Sequence, residues 1–307
     1  MAASSADLIT AFIQALLVAR TNTAPLFIGL QGPQGSGKTT ACNAAVARLQ
    51  AEHNLRGVTL SIDDFYLTRA EQVKLAAQHA GNVYLSQRGY PGTHDIPLGQ
   101  KILAQLRTIN QQKKPVAVPR YDKSLHGGEG DRLPESAWPV IDSPLDFVLL
   151  EGWCMGFTPL PEAALPNAQL AEVNRLLAQY SGWYDFLGAF IQLRTADITH
   201  AVGWRIEAEE KMRSAGKSAM SAEKIRAYIE RFLPAYELYL PELARNISAA
   251  ERPVADSGSF FRSRLIIEIA TDRSARHADF STVIRGGAGA SASAPVTTAA
   301  DRNRAAW

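Results

Sequence analysis

The chain has 307 residues, 20% of them charged, and a formal net charge of +2. That length can bury a large α/β core, as one domain or a domain with insertions. The near-neutral balance gives no electrostatic footprint for nucleic acid, so a small-molecule partner is expected instead.

In chain order, the first expected element is a helix near 5–20. Leu8, Phe12 and Leu16, and also Ile9, Ile13 and Leu17, recur every four residues, which marks an amphipathic helix packed on a core. The apolar stretch 8–19 is too short for a membrane span and no basic n-region precedes it. Residues 1–22 are therefore assigned to an N-terminal amphipathic helix, with no membrane partner. The two cysteines, Cys42 and Cys154, have neither metal nor redox spacing and fit a reducing cytosol, so a cytoplasmic location is expected.

An apolar strand at 25–30 leads into GPQGSGKTT, and a helix follows at 38–51. Gly32, Gly35, Gly37, Lys38 and Thr39 fit the P-loop pattern G-x-x-x-x-G-K-S/T in its required strand–loop–helix setting. Glycines let backbone N–H groups crowd a polyphosphate, and the helix N-terminus adds its positive dipole end. Gly32, Gly35, Ser36, Gly37, Lys38, Thr39 and Thr40 are the expected ATP-binding residues. Lys38 can reach the β- and γ-phosphates, and the Thr39 hydroxyl can ligate Mg²⁺.

GVTLSI at 57–62 reads as a second buried strand, followed by a helix at 69–80, a turn-rich stretch at 81–95 and a helix at 97–110. A short strand at 115–122 opens into a polar loop, 123–143. Core strands follow at 146–150 and 186–193, with a helix at 167–180 between them. Helices at 197–213 and 221–240 precede a last strand at 264–270. From about 285 the chain is Ala-, Gly-, Ser- and Thr-rich, so 285–307 is read as a disordered tail. Alternating strands and helices define an α/β fold with a parallel sheet flanked by helices. Ligands in such sheets bind beyond the carboxyl ends of the strands, where the P-loop, Asp63-Asp64 and Glu151 all fall.

Phosphoryl transfer needs a metal, a group that receives the acceptor's proton, and cations for developing charge. Asp63 can serve as base or metal ligand; Asp64 and Tyr66 beside it can wall an acceptor pocket, or Asp64 can cap a helix. Glu151, after a strand of purely apolar residues, can hold Mg²⁺ through water, or be an exposed strand-end carboxylate. Arg88, His94 and Asp95, in a Gly/Pro-rich loop, and Arg120, Tyr121 and Lys123, with Arg132 further on, can bind an anionic acceptor. For each of these the competing reading is solvated loop charge, and for His94 a capping or hydrogen-bonded histidine. In WRIEAEEKMRSAGKSAM (204–220), Arg205, Lys211, Arg213 and Lys217 can close over the γ-phosphate as a helical lid, or form a salt-bridged surface helix with the interleaved glutamates.

With these residues in view the chain resembles the glycerate kinase family, D-glycerate 3-kinase type, of the P-loop small-molecule kinases. That family is similar in fold to uridine kinase, pantothenate kinase and phosphoribulokinase. The resemblance is carried by GPQGSGKTT, SIDDFYLT, RGYPGTHD, PRYDKS with GEGDR, LLEGWCMGF, WYDFLGAFIQL, WRIEAEEKM and RFLPAYELYLP, in family order from about 27 to 241. It implies a P-loop kinase domain over 23–284, ATP-Mg on Lys38 and Thr39, Asp63 as base, Glu151 assisting the metal, and an Arg205-bearing lid. It also implies an acceptor pocket from the RGYPGTHD and YDKS loops, with D-glycerate phosphorylated to 3-phosphoglycerate. Two other readings stay open: a kinase of another small alcohol, nucleoside or pantothenate-like, and a non-catalytic ATP-binding regulatory protein.

Overall fold

A computed structural model describes residues 3–18, 20, 22–142, 144–214, 222–249 and 260–281. The expected tail at 285–307, the part of the expected lid that holds Lys217, and the side chain of Lys211 lie outside the described residues. The chain runs α1 (Ser5–Val18), β1 (Leu26–Gln31), α2 (Lys38–His53), β2 (Gly57–Ser61), α3 (Arg69–Gln78) and α4 (Ile96–Gln112). Four two-residue strands follow: β3 (Val116–Ala117), β4 (Tyr121–Asp122), β5 (Asp131–Arg132) and β6 (Val140–Ile141). Then come β7 (Phe147–Gly152), α5 (Ala168–Leu177), α6 (Ser181–Tyr184), β8 (Ala189–Thr195), α7 (His200–Ser214), α8 (Ala222–Glu230), α9 (Leu233–Ala249), β9 (Arg264–Ile269) and β10 (Ala275–Ser281).

The main sheet has the order β10-β9-β8-β1-β7-β2. The strands from β9 to β2 are parallel, and β10 joins the β9 edge antiparallel. All six residues of β1 and of β7 are buried, the pattern of strands covered on both faces. Alternate residues feed two apolar layers. Phe27, Val148 and Leu150 face Leu106, Trp183 and Tyr239, whereas Ile28, Leu30 and Leu149 face Ile9, Ile13 and Leu49. Helix α1 thus belongs to the second layer.

Register sets the site. Leu30 pairs with Glu151, and Glu151 pairs with Ser61. The carboxyl ends of β1, β7 and β2 therefore end side by side, with the glycine loop, Glu151 and Asp63 along one rim.

Four expectations are corrected. The strand at 115–122 is two short strands in separate ribbons, because Pro119 has no N–H to continue a ladder. The strand expected from 186 starts at Ala189; Phe186 and Leu187 still bond back into the turn after α6. The helix expected at 221–240 breaks between Glu230 and Leu233, where Pro234 opens α9, which then runs on to Ala249. Strand β10 was not expected, and its antiparallel pairing makes the sheet mixed.

Candidate active site

Between β1 and α2 the loop turns through two left-handed glycines, Gly35 at φ +76° and Gly37 at φ +86°. A Cβ on Gly35 would lie 2.6 Å from Cβ of Trp204, so this residue is fixed by packing as well as by backbone. Gly37 caps α2 without a side-chain acceptor, leaving the first-turn N–H groups for an anion. Ser36 Oγ is buried and has no partner among the described residues. Lys38 Nζ donates to the Pro33 carbonyl at 2.8 Å. Burial lowers its pKa, against an opposing pull from Glu151 and Asp63.

Thr39 Oγ1 donates to Glu151 Oε1 at 2.8 Å, and Glu151 is only 3% exposed. A buried carboxylate held against a threonine hydroxyl, both oxygen donors, fits a hard divalent cation such as Mg²⁺. Below them Gln31 donates to the Trp153 carbonyl and accepts from Gln192, which accepts in turn from Arg194.

Asp63 is presented by a 3₁₀ turn, Ile62–Phe65, whose Ser61 cap accepts from the Asp63 N–H. Lys123 Nζ donates to Asp63 Oδ2 at 2.5 Å, and the Tyr66 hydroxyl donates as well. Burial would raise this carboxyl, but Lys123, with His94 and Tyr66 adding to it, holds it well below the usual carboxylate range. Tyr66 stacks on His94 at 4.4 Å between centroids and meets Tyr121 edge-on at 5.3 Å. His94 is buried; its Nδ1 lies 2.5 Å from the Tyr180 hydroxyl, and its Nε2 has no partner among the described residues. Burial drops its pKa to about 4, against the opposing pull of Asp63.

The other expected acceptor residues divide by what they touch. Asp64 accepts from Arg120 Nη1 at 3.0 Å and from the Tyr121 N–H at 3.1 Å, tying the YDKS loop to the end of β2. Asp95 caps α4 by accepting from the Leu98 N–H and takes Arg132 Nη1 at 2.9 Å. Arg88 donates to the Gly128 and Glu129 carbonyls and lies 5.5 Å over the Tyr121 ring. The backbone of Arg205, in the first half of α7 where the expected lid begins, packs on Gly35. Lys123, Tyr66 and His94 therefore gather around Asp63, whereas Arg120–Asp64 and Arg132–Asp95 form pairs that shape the loops.

Sequence reasoning missed Arg273. In the β9–β10 turn its Nε donates to the Gly35 carbonyl at 2.7 Å and its Nη1 to Glu207 Oε2 on α7 at 2.8 Å. Nothing in the local sequence announces it; only the φ of +64° in a TDRS turn sets it apart. Beside it a cleft of about 520 Å³ opens at the ends of β8 and β9, lined by Arg194, His200, Thr271, Asp272 and Arg276. Tyr236 of α9 holds Gln34 on the other side of the loop. Cys42 and Cys154 are buried with their thiols pushed up by burial, which makes them inert. No helix among the described residues is long and apolar enough to cross a membrane.

A mostly parallel sheet in this order, with the glycine loop on β1 and acids closing β7 and β2, the next two strands on one side, defines the class of the P-loop kinases. Comparison with known proteins narrows it. The chain is 39% identical to the chloroplastic D-glycerate 3-kinase of Arabidopsis thaliana over 71% of its own length, a match that spans 48% of the plant protein. It is 36% identical to a probable ATP-dependent kinase of Saccharomyces cerevisiae, over 74% of this chain and 82% of the yeast protein. The structure of D-glycerate 3-kinase from Cryptococcus neoformans superposes with a TM-score of 0.80 at 29% identity, covering 91% of this chain and 99% of that one. No family model matches the chain. The chain belongs to the D-glycerate 3-kinase family, phosphotransferases with an alcohol group as acceptor.

Proposed function

We propose that the protein transfers the γ-phosphoryl group of ATP to the primary hydroxyl of D-glycerate, giving 3-phosphoglycerate and ADP. The observation that carries this reading is Asp63. It is an ionised carboxylate on the rim next to the P-loop, reached by Lys123, Tyr66 and His94 from the acceptor side. The N–H groups of Gly35–Thr40 and the Lys38 ammonium bind the β- and γ-phosphates. The cleft beside Arg273 gives the nucleoside room. Thr39, Glu151 and Asp63 are the residues that would hold Mg²⁺. When bound, that ion neutralises charge on the β- and γ-oxygens. Asp63 accepts the proton of the acceptor hydroxyl as its oxygen bonds to phosphorus and the bond to the ADP oxygen breaks.

Arg205, with Arg213 further along α7, supplies cations to the transferring group and shuts out water. Arg88, His94, Tyr121 and Lys123 line the acceptor side, supported by the Asp64–Arg120 and Asp95–Arg132 pairs. Two buried free thiols fit a reducing compartment, and we assign the protein to the cytoplasm. The test is ADP release by the purified protein with ATP, Mg²⁺ and D-glycerate, with the product identified by mass spectrometry. Glycerate-dependent release with 3-phosphoglycerate formed is expected. ADP release that glycerate does not stimulate would sink the reading.

A further inference from the structure

Arg231 stands in the two-residue break between α8 and α9. Its surroundings are built. Nη2 donates to the Arg88 carbonyl at 3.0 Å, and the Tyr90 hydroxyl donates to the Arg231 carbonyl at 2.5 Å. The guanidinium lies 5.0 Å from the Phe232 ring centroid and 5.4 Å from that of Tyr228. Gly89, at φ +137°, lets the loop come this close; a Cβ there would meet the Phe232 ring at 2.7 Å and Nη2 at 3.1 Å. Yet Nε and Nη1 are both buried and have no partner among the described residues. Buried donors on a charged group that go unpaired are costly, and buried charges elsewhere in proteins are paired. No carboxylate pairs with the guanidinium among the described residues. Arg88, whose carbonyl takes Nη2, lies 5.5 Å over the Tyr121 ring, and Tyr121 meets Tyr66, which is bonded to Asp63, edge-on at 5.3 Å. Arg88, Tyr121 and Tyr66 therefore connect the unpaired cation to the carboxylate assigned as base.

We propose that Arg231 is the carboxylate receptor of the acceptor site, its unpaired donors taking the acid group of a small hydroxy acid whose hydroxyl lies at Asp63. This rests on the acceptor-site reading given above and names the residue that selects an acid over a neutral alcohol. Arg suits the role because its planar fork matches a carboxylate and keeps its charge when buried. A purely structural role, holding the Arg88–Gly89 backbone through Nη2 and the two rings, makes a different prediction. It predicts lower stability with equal losses for every acceptor.

The experiment compares wild type, Arg231→Gln and Arg231→Lys. Calorimetry gives Kd for D-glycerate in the presence of a non-hydrolysable ATP analogue. Turnover gives kcat/KM for D-glycerate and for glycerol, and thermal melting reports folding. Arg231→Gln is expected to weaken D-glycerate binding by at least about 30-fold, with the KM for ATP unchanged. It should also erase the preference for glycerate over glycerol, and Arg231→Lys should recover part of both. An unchanged Kd, a parallel loss for glycerol, or a wild type that prefers the uncharged alcohol overturns the inference. Wild-type turnover of glycerate decides the functional reading separately. If a different hydroxy acid proves to be the acceptor, the same ratios are measured with that acid, and the role of Arg231 stands or falls on them.

Discussion

At the scale of single residues, the site depends on two buried groups held in opposite states. Asp63 is kept ionised by Lys123, and His94 is kept neutral by burial. Asp63→Asn removes the proton acceptor but leaves the P-loop intact. kcat should fall by about 10²- to 10⁴-fold while the KM for ATP changes little. Full activity in that variant would remove Asp63 from the chemistry. His94 contributes a pH dependence to stability. Its pKa falls from 6.5 to about 4 on folding, so below pH 6.5 the unfolded chain binds a proton that the folded chain refuses until about pH 4. Stability is complete above pH 6.5 and declines as pH falls through that window. By pH 5 the loss from this one residue is about 2 kcal/mol, at about 1.4 kcal/mol per pH unit. Urea unfolding at pH 7 and pH 5 should show a drop that exceeds that of His94→Gln by this amount; equal drops would dismiss the effect.

At the scale of elements, the β9–β10 turn decides how the P-loop is held. Arg273 adopts φ +64°, a left-handed conformation that disfavours a residue with a Cβ by about 1 kcal/mol. It does so while joining Gly35 to Glu207 and covering Trp204 at 5.7 Å. Strain of this kind persists where the surrounding structure holds it, and such residues cluster at functional sites. Arg273→Gly relieves the strain, but it frees the unfolded chain and breaks the latch, and these effects offset one another. The midpoint of thermal unfolding should stay within a few degrees, whereas the KM for ATP should rise by about tenfold. A large loss of stability with nucleotide affinity intact would make Arg273 a folding residue only.

The same turn shows where the sequence was legible. β1, the glycine loop and α2 declare themselves in one contiguous string, because phosphate binding needs local backbone geometry. β10, ARHADFS, hides because only Ala278 on it is fully buried and an edge strand needs little apolar content. Arg231 hides for another reason. The break that holds it lies where Pro234 opens α9, and its donors are buried only once Arg88 and Gly89 arrive from far along the chain.

At the scale of the whole molecule, the sheet order converts sequence distance into one rim. Gly35, Glu151, Asp63 and Arg273 come from four strand ends and meet because β1 lies between β7 and β8. A ligand gripped at that rim therefore ties together segments that only the sheet connects. A non-hydrolysable ATP analogue with Mg²⁺, present at about 100 times its Kd, should add about 2.7 kcal/mol to stability. For a domain of this size that is a rise of roughly 5–10 °C in the unfolding midpoint. Lys38→Met should lose most of the rise, and chelation of the metal should lower it in the wild type. Hydrogen exchange should localise the effect. Protection is expected in the Gly32–Thr40 loop and also in the Thr271–Ser274 turn, which reaches the phosphate loop through Arg273 and the Trp204 indole bonded to the Thr271 carbonyl at 2.5 Å. In Arg273→Gly the loop should still be protected and the turn should not. Protection confined to the loop in the wild type would mean that the turn merely neighbours the phosphate site. Protection of both segments, lost from the turn alone in the variant, would make the β9–β10 hairpin a working part of nucleotide binding.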